Sequence, residues 1–282
     1  MNKAEQQVRR LDTLNEQEAT RFLTELTTKL SAEKEYELRH EDYVMEIPQS
    51  GDRLRARENM RAFQEAFASH SIPPTITLRR VIVRENLWVW EWVADYGGHV
   101  FRGAAIFELR DGRIWRDTRY YAEPFEAPEW RAQWVDRMES EEPDGTLTRG
   151  EWRNETNERK VQELIERQWE KMQAGDLAGA HEWYDAAVVL EWPQSGERVR
   201  GKGNLIALRK AYPADVEFEV RRNITRRDLG VSELVIRYDG RPVNAIGIFE
   251  FEEGNVVRET HYFAEPFEAP GWSSRWVERL EV

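Results

Sequence analysis

The chain has no cysteine, which excludes disulfides, zinc–thiolate centres and thiol nucleophiles together. It has no apolar run near the ~18–20 residues of a membrane helix. Its opening stretch, Met1–Arg10, is polar where a signal peptide carries an apolar core. A cytoplasmic protein with no membrane partner is expected. Positive charge is in deficit, with 41 Lys and Arg against 53 Asp and Glu and a formal net charge of −12. Phosphate binding needs a basic face. Arginines gather near Arg79–Arg80 and Arg221–Arg227, but acidic residues are interleaved throughout, so nucleic acid is not an expected partner. Histidine is scarce too: His40, His70 and His99 stand alone, without a second ligand at metal spacing, and His181 is placed on a helix face. Neither a metal nor a cofactor is expected.

What the chain does have, it has twice. Residues 122–128 read Ala-Glu-Pro-Phe-Glu-Ala-Pro, and residues 264–270 read the same. Upstream, Glu46-Ile47-Pro48-Gln49-Ser50-Gly51 is answered by Glu191-Trp192-Pro193-Gln194-Ser195-Gly196. Both blocks recur in one order at nearly one spacing, so the chain is a single fold written twice. The expected division is a first domain over 1–139 with a polar lead, an acidic linker over 140–150, and a second domain over 151–282. Each copy is long enough to bury roughly two thirds of its unfolded surface and too long for a solenoid unit.

Within each copy the pattern predicts helices first and strands after. Ala19, Phe22, Leu23, Leu26 and Leu30 keep helical spacing, as do Val161, Leu164, Ile165, Trp169 and Met172. Ser31 and Asp176 read as N-caps of a second, shorter helix, which in the second copy carries Leu177, Ala180, His181 and Tyr184 on one side. A short strand follows (Tyr43–Ile47, Val188–Trp192), stopped by Pro48 or Pro193, and then a third helix over 59–68 or 204–212. Four strands complete each copy, at 75–84, 87–95, 99–110 and 113–122, then 215–227, 231–238, 242–252 and 255–264. Their turns fall at Gly97-Gly98, Asp111-Gly112, Asp239-Gly240 and Glu253-Gly254. This order is α+β: two tandem cone-shaped domains, each with about three helices on a curved, mostly antiparallel sheet. A sheet wrapped around a helix leaves a cavity, where function would sit.

The run Trp-Pro-Gln-Ser-Gly-Glu-Arg-Val-Arg-Gly at 192–201, entering a helix, resembles the SnoaL-like polyketide cyclase branch of the nuclear transport factor two-like superfamily. The final strand, Gly254-Asn255-Val256-Val257-Arg258-Glu259-Thr260-His261-Tyr262-Phe263, is similar to that family's last strand. The resemblance covers nearly all of 155–282 and, less cleanly, 15–138. It implies a pocketed fold whose members include isomerases, dehydratases, cyclases, epoxide hydrolases and pure binding domains, so it implies no one reaction. Members commonly pair through their sheets, which implies an intramolecular pseudo-dimer of the two copies. In the ketosteroid isomerase branch the general-base aspartate falls just before the proline. Here Ile47 and Trp192 hold that place, and neither moves a proton.

Glu259 and His261 lie two apart on a strand and share a face, the arrangement of a carboxylate that orients an imidazole for acid/base work. The first copy has Asp117 and Arg119 there, and arginine stays charged at neutral pH, so catalysis of the lyase, isomerase or cyclase kind is expected in the second copy if anywhere. The plainer reading of the pair is a cross-strand salt bridge. Glu191, Trp192, Tyr184 and Tyr262 are candidates to line a pocket for a small apolar or aromatic ligand, with Tyr184 and Trp192 at its mouth. The plainer reading of Glu191 and Glu46 is as partners of Arg200 and Arg55 across the turn. The Glu-Pro-Phe-Glu-Ala-Pro segments read as rigid exits that direct Trp130 and Trp134, or Trp272 and Trp276, onto a hydrophobic surface. The rival to an enzyme is a binding or assembly module whose pockets are filled by its own side chains.

Overall fold

The structure, a computed structural model, describes residues 10–29, 31–138 and 158–280; the expected linker at 140–150 and Leu30 lie outside them. The first copy runs α1 (Glu16–Thr28), α2 (Ala32–Leu38), β1 (Arg39–Ile47), β2 (Asp52–Arg55), α3 (Arg57–His70), β3 (Thr75–Arg84), β4 (Leu87–Asp95), β5 (Val100–Arg110) and β6 (Arg113–Ala122), followed by a short strand, β7 (Asp136–Arg137). The second repeats it as α4 (Glu158–Gln173), α5 (Leu177–Ala180), β8 (Tyr184–Trp192), β9 (Glu197–Arg200), α6 (Lys202–Lys210), β10 (Val216–Arg226), β11 (Leu229–Tyr238), β12 (Arg241–Glu252) and β13 (Asn255–Ala264), with β14 (Val277–Arg279) last.

Local chemistry accounts for these elements. Asn15 caps α1 in a full capping box with Glu18. Ser31 and Asp176 cap α2 and α5 as their sequence positions predict. The meander turns at Asp111-Gly112, Asp239-Gly240 and Glu253-Gly254 put both residues at positive φ, the geometry that lets a two-residue turn follow the strand twist. One expectation is corrected here: α5 stops at Ala180, so Tyr184 opens strand β8 rather than lying on that helix.

Two compact units result, and they do not follow the repeat. The described residues up to Arg119 join those from Phe267 onward, and the described residues from Tyr120 to Pro266 form the second unit. The first sheet has the order β14-β2-β1-β6-β5-β4-β3, and the second β10-β11-β12-β13-β8-β9-β7. In each, neighbours are antiparallel except for one parallel pair, β1 with β6 or β8 with β13. Each copy's tail therefore closes the sheet formed by the other copy.

The two repeated motifs are what hold the tails. In the second unit Gln194 donates through Nε2 to the carbonyls of Glu123 (2.8 Å) and Phe263 (2.9 Å) and accepts the Phe263 N–H at 2.6 Å. The Phe125 N–H donates to the Gln194 carbonyl at 3.3 Å, and in the first unit the Phe267 N–H donates to the Gln49 carbonyl at 3.2 Å. Past this grip, Trp130 and Trp134 pack on the second unit's core. Trp272 lies 5.1 Å from Phe63 and stacks on His70 at 5.2 Å in the first unit.

At the entry to α3, Ala56 holds φ 69° and ψ 136°, where its counterpart entering α6 is Gly201 at φ 85°. A Cβ at Gly201 would meet only an ordinary contact, the Ala186 carbonyl at 3.5 Å, so the backbone angle rather than space is what favours glycine. Ala56→Gly should therefore stabilise the protein by about 1 kcal/mol, read as a raised midpoint in chemical denaturation; an unchanged or lowered midpoint contradicts the strain.

Candidate functional site

The second unit builds a polar cluster inside an apolar interior. Its core includes Ile165, Trp169, Tyr184, Leu190, Trp192, Phe249 and Phe251. Within this core Glu259 is wholly buried. A carboxylate there needs partners, and three side chains supply them. Arg209 of α6 donates to Oε1 at 2.6 Å, His261 places Nε2 2.7 Å from the same oxygen, and the Tyr184 hydroxyl donates to Oε2 at 2.9 Å. The His261 ring N–H is not aligned as a hydrogen bond, so its attraction to Glu259 is that of charge and dipole. Gln168 of α4 donates to the Tyr184 oxygen at 2.7 Å.

His181 completes the cluster. Its Nδ1 lies 2.6 Å from the Leu177 carbonyl, and its Nε2 meets Arg209 Nη1. Two donor–acceptor contacts of this kind fix a neutral ring with the proton on Nδ1. Burial first, and then the Arg209 charge, push its pKa down to about 4. Burial alone would raise the Glu259 carboxyl, but Arg209 and then His261 outweigh it and hold the group well below the usual carboxylate range. Burial and the neighbouring Glu259 push the Tyr184 phenol well above its ordinary value. Glu259 is thus an ionised carboxylate, and Tyr184 a fixed donor.

Of the six candidates from the sequence, the structure brings four to this face and leaves two on the other. Glu259, His261, Tyr184 and Trp192 face the interior; Glu191 and Tyr262 do not. On β13, Arg258 and Tyr262 alternate with Glu259 and His261, and Glu191 pairs with Arg258 at 2.9 Å. Glu191 also binds Arg198 at 2.9 Å, as Glu46 binds Arg53. The expected partners Arg200 and Arg55 are displaced by two residues because the hairpin register sets Glu191 opposite Arg198 and Glu46 opposite Arg53. Tyr184 and Trp192 are 2% and 6% exposed, so they are core rather than a mouth.

Sequence reasoning missed Arg209, Gln168 and the part played by His181. Gln168 gave a signal: it stands on the same helix face as Ile165 and Trp169, where a polar residue demands a buried partner. His181 is the residue after α5, not part of a helix face. Gly247 pairs with His261 across β12 and β13, and a Cβ there would sit 3.1 Å from His261 Nε2, so the glycine makes room for the ring.

The first unit has diverged at the same places. Asp117 accepts from Arg119 at 2.6 Å and from the Tyr43 hydroxyl at 2.8 Å. Arg39 stands where Tyr184 does and binds Glu35 at 2.6 Å, and Gln64 replaces Arg209. Among the described residues no three His, Cys, Asp or Glu side chains converge to hold a metal. No described helix is long and apolar enough to cross a membrane. An open groove of about 750 Å³ runs between α4 and β10, lined by residues such as Glu158, Gln162 and Arg226, and does not include Glu259 or His261.

The SnoaL-like domain family matches this chain twice, over residues 19–117 and 165–259, more than half of its length. The chain belongs to that family. A solved NTF-2-like protein of unknown function from Burkholderia xenovorans LB400 is 43% identical, with 45% of this chain and 99% of that one covered and a TM-score of 0.43. An NTF2-like protein of unknown function from Burkholderia pseudomallei K96243 is 19% identical over 37% and 90% of the two chains, with a TM-score of 0.35. An LEH-like epoxide hydrolase of M. tuberculosis is 19% identical over 37% and 83%, with a TM-score of 0.33. No curated protein matches.

Two outcomes follow for this SnoaL-like protein. Removing one member of a buried ion pair strands the other charge, so Glu259→Gln should cost about 3 kcal/mol or more in chemical denaturation; a cost under about 1 kcal/mol would show the pair to be solvated. The second concerns acid. Above pH 6.5 His181 is neutral both folded and unfolded. Between pH 6.5 and about 4 only the unfolded chain takes up its proton, so stability falls as acid is added, by roughly 3 kcal/mol at most. Glu259 extends the loss to lower pH, since its folded pKa is depressed. Denaturation midpoints from pH 8 to 4 should decline in this way, and His181→Gln should flatten the stretch between 6.5 and 4.

Proposed function

We propose that the second unit binds a small molecule and moves a proton on it, in a lyase, isomerase or cyclase reaction in the cytoplasm. His261 is the shuttle, Glu259 its orienter, and Tyr184 and Trp192 part of the surrounding wall. The observation that carries this reading is the division of labour around Glu259. Arg209 and Tyr184 occupy its oxygens and keep it ionised, so it cannot serve as the base, while its 2.7 Å approach to Nε2 sets the ring. Among the described residues nothing hydrogen-bonds His261 Nδ1, and the residue keeps 7% of its exposure. With the proton on Nε2, Nδ1 carries the lone pair. It can take a proton from a carbon beside a carbonyl and return it elsewhere on the same molecule, with no co-reactant.

The first unit is read as a structural partner, its Arg119 standing where the shuttle would be. The exchange of tails supports a covalent pseudo-dimer of copies over 1–139 and 151–282. A second reading, a non-catalytic module, is favoured by the Trp169, Trp192, Phe249 and Phe251 side chains that fill the second unit's interior.

Incubation with a panel of aromatic ketones, β-hydroxy ketones and enones, followed by mass spectrometry or solvent deuterium uptake, separates the two. Any turnover should fall by about 100-fold or more in His261→Ala, with the thermal midpoint nearly unmoved. Unchanged turnover beside a large loss of stability would leave His261 a structural residue and favour the module.

A further inference from the structure

The sequence marked Trp130 as part of a rigid exit from the first copy, and a structural role absorbs only part of what the structure gives it. Trp130 sits in the 3-10 turn Glu129–Trp134 of the exchanged tail, half-buried against the second unit. Its ring meets Tyr212 edge-on at 5.2 Å and 82°. Tyr212, 37% exposed just past α6, stacks on Tyr238 at 5.5 Å and 30°. Tyr238 lies 6.5 Å from Phe263, and Phe263 lies 5.8 Å from His261. An unbroken row of rings thus leads from solvent to the imidazole, and its outermost members come from the tail of one copy and the helix end of the other.

We propose that this row is the entrance to the His261 site and that Trp130 is its specificity-determining residue, admitting a flat, uncharged aromatic molecule with one hydroxyl or carbonyl. This rests on the acid/base reading of His261. The walls offer ring faces and edges, which suit a planar guest. Charge is disfavoured, because the cations beside the row are already engaged: Arg131 binds Glu197 at 2.5 Å and lies over Trp192, and Arg209 binds Glu259 at 2.6 Å. The single polar group of the guest answers His261 Nδ1. In the first unit the corresponding tail ring, Trp272, stacks on His70 and packs against Phe63 and Phe67, and Arg119 stands in place of the imidazole, so no equivalent entrance is assigned there.

The test is a titration of the full-length protein with 2-naphthol, followed by NMR of the histidine ring and tryptophan indole signals, with His261 assigned through His261→Gln. The His261 ring and the Trp130 indole should shift along one saturation curve. Trp130→Ala should weaken binding about tenfold or more, and Trp272→Ala should leave it unchanged. Tyr212→Ala is the second variant, because its ring is exposed and its loss spares the fold; it should weaken binding likewise. Equal affinity in both Trp130→Ala and Tyr212→Ala overturns the entrance, as does a silent Trp130 at saturation. A response at His261 with Trp130 silent overturns the entrance and leaves the acid/base reading standing. A response at Trp130 with His261 silent shows an aromatic site that does not lead to His261 and overturns the entrance together with the acid/base reading.

Discussion

A carboxylate buried in an apolar core dictates its surroundings, and Glu259 does so here. Left alone it would take up a proton. Arg209, Tyr184 and His261 prevent this, and each comes from a different element, so α6, the start of β8 and the middle of β13 are fixed relative to one another by a single side chain. Gln168 and His181 are then needed in turn, one to satisfy the phenol and the other to meet the second guanidinium nitrogen. Glu259, Arg209, Tyr184 and Gln168 are coupled through their hydrogen bonds, which is why these four cannot be exchanged one at a time without loss.

The first unit shows what happens when the same frame solves the same problem differently. Asp117 takes its cation from its own strand, two residues along, instead of from the third helix. That choice puts Arg119 where the imidazole would be and frees the helix position, where Gln64 now serves Glu35 and Arg39. One copy thus sets an imidazole beside its buried carboxylate, and the other a guanidinium.

The strands were legible because nothing in them conflicts: the runs at 87–95, 113–122 and 255–264 each adjoin a turn whose positive φ glycine accepts at no steric cost. The shared face of Glu259 and His261 followed from the period of two, but which face looks inward did not, because the other side carries residues just as polar and just as buried. Arg258 and Tyr262 are 2% and 0% exposed. Buried arginine–glutamate pairs such as Arg258–Glu191 remove the usual contrast between an apolar inside and a polar outside. Arg209 was hidden for another reason. A charged residue near the end of a surface helix reads as solvated, and only the depth of Glu259 turns it inward.

The recurring heptapeptide was recognised as rigid, yet its addressee lay outside any local pattern. Its partner is the Pro-Gln-Ser-Gly turn of the opposite copy. This has a consequence for the order of events on the ribosome. The first unit joins the described residues up to Arg119 to β14, residues Val277–Arg279. Its sheet stays one strand short until residues 277–279 have been translated, while the first tail waits for β9 of the second copy. The second unit draws every strand of its sheet from residues 120–266, so it can close while the first still lacks β14.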